Sequence, residues 1–165
     1  MAAIYQADVW CDDCADIIKD RIWCESEDGP TYPNRAAWEE AVGYDDDRNY
    51  DSDEYPKDCD DDEESDCPEH CAGGADCVNA EELSNGSNVG YCFGNSLTSE
   101  GAEYVVNAVC EDRLAGYTDS VACELWADVY SYLDYSGAEQ CAECGAWVEE
   151  GDLADDAVCE DCIYG

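Results

Sequence analysis

Cysteine is the residue that most limits what this chain can become. Three C-x-x-C pairs stand at Cys11/Cys14, Cys141/Cys144 and Cys159/Cys162, within a total of 14 Cys. Random placement rarely gives three. Each such turn sets two sulfurs on one side of a tight loop, where backbone N–H groups can point at them and stabilise thiolate. Four such sulfurs together make a tetrahedral site for Zn²⁺. The opening residues, Met1-Ala-Ala-Ile-Tyr-Gln-Ala-Asp, have neither the basic nor the apolar region of a secretory signal. The expectation is therefore a cytoplasmic chain, in which many cysteines point to metal rather than disulfides. Disulfides are the alternative if the chain is exported by another route.

The C-terminal pattern is the more specific one. In Cys141-Ala-Glu-Cys144-Gly145, 14 residues separate Cys144 from the next pair, Cys159-Glu-Asp-Cys162. A hairpin between the turns would bring the pairs together, which resembles a zinc ribbon. So small a module buries little apolar surface, so a metal must contribute to its folding. Iron in a rubredoxin-like site is the alternative occupant. A redox dithiol suits four paired thiols less well than a closed structural site. The second expected site starts from Cys11 and Cys14. Its partners come from Cys67-Pro-Glu-His70-Cys71-Ala-Gly-Gly-Ala-Asp-Cys77. Cys71 and Cys77 are preferred, with His70 or Cys67 as substitutes; His70 also reads as a residue beside the site. Two zinc ions per chain are expected.

Charge is the next constraint. Six Lys+Arg face 44 Asp+Glu, a formal net charge of −38 over 165 residues. In dilute buffer such self-repulsion opposes a compact state. At 1 M salt the Debye length falls to about 3 Å and the repulsion is screened. The composition is therefore one a halophilic cytoplasm favours. Six scattered cations form no basic patch, so direct nucleic-acid binding by phosphate neutralisation is not expected. No apolar run approaches the roughly 18 residues of a membrane span. With 45% apolar residues the chain can nonetheless build a core.

The pattern along the chain predicts an α+β fold in two parts. Residues 1–137 form an acidic zinc-binding domain, and 138–165 the zinc ribbon. Residues 3–10 read as a strand, followed by a short helix with Ile17, Ile18 and Ile22 on one side. Asn34 is the expected cap of a second helix through Ala36, Ala37, Trp38 and Ala41. Residues 44–66 hold 13 of the 44 acids and read as an extended solvated loop without core. The alternating Asp58, Asp60, Asp62 and Glu64 in it lack an EF-hand's glycine and terminal Glu and read as solvated charge. Residues 78–83 and 88–93 read as a hairpin across Ser84-Asn85-Gly86-Ser87, with Asn-Gly supplying positive φ. Thr98 caps a helix to about Arg113, with Ala102, Val105, Ala108 and Val109 inward. A further helix is expected over 118–133, with Val121, Leu125, Val129 and Leu133 as its stripe, and Gly137 ends the helical region. Cys24, Cys59, Cys92, Cys110 and Cys123 are scattered.

Residues 4–14, Pro68-Glu-His-Cys71 and Asn95-Ser-Leu-Thr-Ser-Glu-Gly-Ala-Glu-Tyr-Val105 resemble a family of small Cys-rich proteins. These are encoded mostly in phage, prokaryotic-virus and metagenomic genomes. The likeness extends to Glu124-Leu-Trp-Ala-Asp128 and stops before the C-terminal module. It implies Cys11, Cys14, Cys71 and Cys77 as ligands. The family often has Ser where Cys67 stands, which weakens Cys67 as a ligand. With the acidity, it implies a virus or provirus of a salt-loving host. No activity attaches to the family.

Catalytic signatures are missing. There is no G-x-x-x-x-G-K-[ST], no G-x-S-x-G and no H-E-x-x-H. The one His, His70, is followed by Cys71 and Ala72, not by the x-E of a zinc deaminase. No enzymatic activity is expected. The leading expectation is a zinc-binding accessory protein with a protein partner. The alternatives are an acidic inhibitor that mimics nucleic acid and a virion structural or decoration protein.

Overall fold

A computed structural model describes residues 2–59, 64–154 and 157–164. The fold is mixed α+β with small sheets. By packing, the described residues fall into two compact units. One is drawn from residues 1–63, 69–82 and 88–95; the other from 64–68, 83–87 and 96–165. No helix among the described residues is long and apolar enough to cross a membrane.

The first unit opens with a hairpin where a single strand is expected. Strand β1 (Ala2–Tyr5) pairs antiparallel with β2 (Asp8–Cys11), and Ala2 faces Cys11 in register. The turn between them places Gln6 at φ 52° and Ala7 at φ 65°. Left-handed backbone usually selects Gly or Asn, and neither is present, so the turn leaves no compositional trace. Helix α1 (Asp12–Glu25) starts directly from β2 and buries Cys14, Ala15 and Ile18. Ile17 is exposed and Ile22 half-buried, so the expected three-isoleucine face is narrower. Helix α2 (Arg35–Val42) is capped by Asn34, whose side chain accepts from the Ala37 N–H at 2.9 Å. Its buried residue is Trp38, while Ala41 is exposed.

The acidic stretch is more structured than its composition predicts. Tyr44, Tyr50 and Tyr55 gather with Trp38; the Tyr44 and Tyr55 rings stack at 4.4 Å, and Trp38 meets them edge-on at 5.5 and 6.0 Å. Tyr55 is 1% exposed, and its hydroxyl donates to Glu39. Aromatic residues bury large areas, so three tyrosines suffice to anchor an otherwise solvated segment. Strand β3 (Lys57–Cys59) then pairs with β1, giving sheet order β2-β1-β3. Arg35 joins α2 to α1 through Asp16 at 2.9 Å and Asp20 at 2.7 Å. Of the alternating carboxylates, Asp60 and Asp62 lie outside the described residues.

Strands β4 (Glu81–Glu82) and β5 (Asn88–Val89) form the expected second hairpin, shorter than anticipated. Gly86 alone takes positive φ, 81°, in its turn, while Asn85 instead accepts from the Ser87 N–H. The turn is an ordinary one closed by a left-handed Gly rather than an Asn-Gly pair.

The second unit is built on helix α3 (Ser99–Ala115). Its cap, Thr98, accepts from the Gly101 N–H at 3.1 Å and donates to Asp66 at 2.6 Å. Val105 and Val109 are fully buried. The next helix is shorter than expected. Residues Ala122–Trp126 wind as a π turn that runs into α4 (Ala127–Val129). The wider turn shifts the inward face to Ala122, Leu125 and Tyr130, leaving Val121, Val129 and Leu133 half-buried. Strands β6 (Ala138–Gln140) and β7 (Trp147–Glu149) and helix α5 (Glu160–Tyr164) complete the unit. The Arg113 guanidinium on α3 lies 4.4 Å from the Trp147 ring, and the Gly137 backbone packs beside the Cys110 sulfur. The segment from 138 onward thus shares a compact unit with α3.

Candidate metal centres

Each unit gathers four cysteines, and every described cysteine is free of a disulfide. Cys11, Cys14, Cys71 and Cys77 have sulfurs all within 4.8 Å of one another, as do Cys141, Cys144, Cys159 and Cys162. In the first set, Cys77 lies 3.6 Å from Cys11 and 3.7 Å from Cys14. In the second, Cys144 to Cys159 is 3.8 Å and Cys141 to Cys162 is 4.0 Å. A disulfide needs about 2.05 Å. A metal–thiolate bond of about 2.3 Å sets the edge of an S₄ tetrahedron at about 3.8 Å. Each set could therefore hold one tetrahedral thiophilic cation.

The two centres have the same local plan. In each, one C-x-x-C pair opens a helix. Cys11 is the residue before α1 and Cys14 lies in its first turn; Cys159 precedes α5 and Cys162 lies within it. The other pair comes from a tight loop. The Gly74 N–H donates to the Cys71 carbonyl at 3.0 Å, and the Gly145 N–H to the Cys141 carbonyl at 2.9 Å. One backbone bond then stitches helix pair to loop pair: the Cys11 N–H donates to Cys71 Sγ at 3.4 Å, and the Cys159 N–H to Cys141 Sγ at 3.4 Å. The order along the chain is reversed: helix pair first at the N-terminus, last at the C-terminus. The hairpin expected between the two C-terminal turns instead straddles the first, since β6 ends before Cys141 and β7 begins after Cys144.

More N–H groups converge on the first centre. Val78 N–H donates to Cys14 Sγ and Asn79 N–H to Cys77 Sγ, both at 3.4 Å. The Asn79 side-chain amide reaches Cys11 Sγ at 3.6 Å and Asp13 at 2.8 Å. Asn79 was not singled out in the sequence; its position two residues after a ligand is the only signal it carries. Gly90 is demanded by space: a Cβ there would lie 2.4 Å from the Cys71 carbonyl oxygen. His70 supports this approach from beside the site, its Nδ1 lying 2.8 Å from the Gly90 carbonyl oxygen. It is not among the gathered ligand atoms, and neither is Cys67, which is exposed and belongs to the other unit. Trp10, Ala80 and Phe93 pack against the cluster of four cysteines.

The electrostatics prepare each centre for a cation. Burial raises the Cys14 and Cys71 thiols. Burial opposes ionisation of Cys77 as well, but N–H groups of Tyr91 and Asn79 outweigh it and bring the thiol down to about 7. Cys141 falls to about 6 because backbone N–H groups of Cys144 and Cys159 point at its sulfur. Neighbouring thiols, Cys144 first, hold Cys162 up. Each centre thus has one thiol, Cys77 or Cys141, whose ionised form is favoured, and metal binding requires thiolate ligands.

Neither protein-family models, nor curated proteins, nor solved structures include a match to this chain.

Proposed function

We propose that the chain is a zinc-binding accessory protein that works by holding a protein partner in the salt-rich cytoplasm of a halophile, as a product of that cell or of its virus. The single observation that carries this is the pair of four-thiol clusters, each with its sulfurs within 4.8 Å of one another and with close pairs at 3.6–4.0 Å. Four thiolates fill a zinc ion's coordination and leave no position for a reacting water, which supports a structural rather than catalytic role. The setting is argued from charge. Asn95 is the one buried polar or charged residue among those described, so no described carboxylate is buried and most stand where salt can screen them.

Metal analysis of the chain purified in molar KCl tests the first part. Two zinc ions per chain are expected; iron in their place, or no metal and no free thiols, overturns it. Thermal melting across KCl concentrations tests the second. The melting temperature is expected to rise towards molar salt, and a maximum in dilute buffer overturns the halophilic setting. Partner capture from a halophile lysate, repeated with chelated protein, tests the third.

A further inference from the structure

Helix α5 has an unusual position in the second unit. Its ligand Cys162 joins the C-terminal centre, yet no residue within α5 is buried. Ile163 is 47% and Tyr164 83% exposed. A five-residue helix has no stability of its own. The tether through Cys159 and Cys162 is therefore what presents these two apolar side chains to solvent.

They line a groove of about 510 Å³ between α5, β7 and the loop after it. Its apolar lining is Val148, Leu153, Ile163 and Tyr164, and its charged lining is Asp152, Glu160 and Asp161. No Lys or Arg lines it. The chain has only six cations in all. Of these Lys19, Arg35 and Arg48 are engaged by carboxylates, Lys57 and Arg113 lie over aromatic rings, and Arg21 belongs to α1 in the first unit. A second copy of the chain, a nucleic acid or an anionic lipid surface would each bring further negative charge to an acidic rim. The complementary occupant is a segment with apolar side chains on one face and Lys or Arg on the other.

We propose that this groove docks a basic amphipathic segment of a partner protein, and that docking requires the metal at the C-terminal centre. The proposal rests on the zinc-binding interaction protein argued above and names the chemistry of its partner. Metal holds Cys159 and Cys162 beside Cys141 and Cys144, that clamp holds α5, and α5 supplies Ile163 and Tyr164 to the groove. Stripping the ion removes one wall.

The test uses the zinc-loaded full chain and fluorescence anisotropy with a labelled Lys/Leu peptide patterned as an amphipathic helix. A scrambled peptide of equal composition without an apolar face is the comparison, at 0.15 M and 1 M salt. The patterned peptide is expected to bind about tenfold more tightly than the scrambled one, and to keep that ratio at 1 M salt, where plain charge attraction is screened. The double variant Ile163→Ser with Tyr164→Ser is expected to weaken binding by about tenfold while retaining two metal ions per chain. Ile17→Ser with Tyr132→Ser, which removes comparable exposed apolar surface elsewhere, is expected to leave binding unchanged. Cys162→Ser is expected to lose one metal ion and the binding together. Equal binding of both peptides, or unchanged binding by the groove variant, overturns the groove. Unchanged binding after metal removal overturns the coupling to the centre. A chain that carries no metal overturns the zinc reading itself, and the groove variant is then judged separately by its peptide affinity.

Discussion

The two candidate metal centres share a local plan but differ in what surrounds it. The N-terminal four are all buried; at the C-terminal centre Cys144 is exposed and Cys162 half-buried. The N-terminal set joins the pair Cys11/Cys14 to residues 57 to 66 positions away, whereas the C-terminal set joins pairs 15 to 21 apart. Closing the longer loops removes more freedom from the unfolded chain, by about 1 kcal/mol on the logarithmic scaling of loop length. Burial adds more, because it makes opening of the first centre coincide with the loss of Trp10 and Phe93 packing. The lesson is that one coordination motif can serve as the keystone of a unit or as a local clamp. Loop length and burial decide which.

The largest effect should come from breaking the keystone. Cys71→Ser is expected to lose one ion and the tertiary structure of the first unit together. A structural zinc contributes on the order of 10–16 kcal/mol of apparent binding energy, comparable to or larger than the whole stability of a small domain. Metal content and near-UV circular dichroism check it; a variant that keeps its aromatic signal would make the first centre no more than a clamp. Cys144→Ser should be milder. It is expected to lose the other ion and disorder β6, β7 and α5, with the Trp38–tyrosine signal retained. Under chelator the same asymmetry should show as two phases of release, the exposed centre first.

Acid should reverse that order. A thiol held below its ordinary 9.0 stabilises the folded state above that value and loses the contribution as pH falls through its folded value. That point is about 7 for Cys77 and about 6 for Cys141. Stability therefore declines with falling pH at both centres. The N-terminal one is expected to begin releasing metal at the higher pH, read with a colorimetric chelating dye on Cys144→Ser and Cys71→Ser in parallel. Release in the same order as with chelator would show that access outweighs sulfur basicity. The smallest effect belongs to Asn79→Ala. It removes one N–H···S bond and the tie to Asp13 but leaves the backbone bond to Cys77. A loss of about 1–2 kcal/mol is expected, seen as roughly tenfold faster metal release from the first centre alone.

The legible parts of the fold were those written in local chemistry. Asn34 and Thr98 could be read as caps because a side-chain oxygen meets an N–H three residues on. The β4–β5 turn could be read from Gly86. The β1–β2 turn could not, since Gln6 and Ala7 take left-handed backbone that neither residue type prefers. The tyrosine cluster was hidden by the acids around it, because average charge says nothing about where three aromatic rings meet. The π turn at 122–126 was invisible because the periodicity of Val121, Leu125, Val129 and Leu133 presumes 3.6 residues per turn.

Composition and spacing alone determined that thiols would organise this chain: two cysteines three positions apart share one side of a turn whatever the rest does. They equally determined that its surface would be acidic, since 44 carboxylates cannot be hidden. Spacing also preferred Cys71 and Cys77 as partners of the first pair, but only the tertiary structure gathered them there and left His70 and Cys67 outside the set. It also decided that the segment after residue 137 shares a unit with α3. The reason is that ligand spacing is local, whereas the meeting of residues 60 positions apart depends on hairpins, buried aromatics and close backbone approaches that no short window of sequence contains.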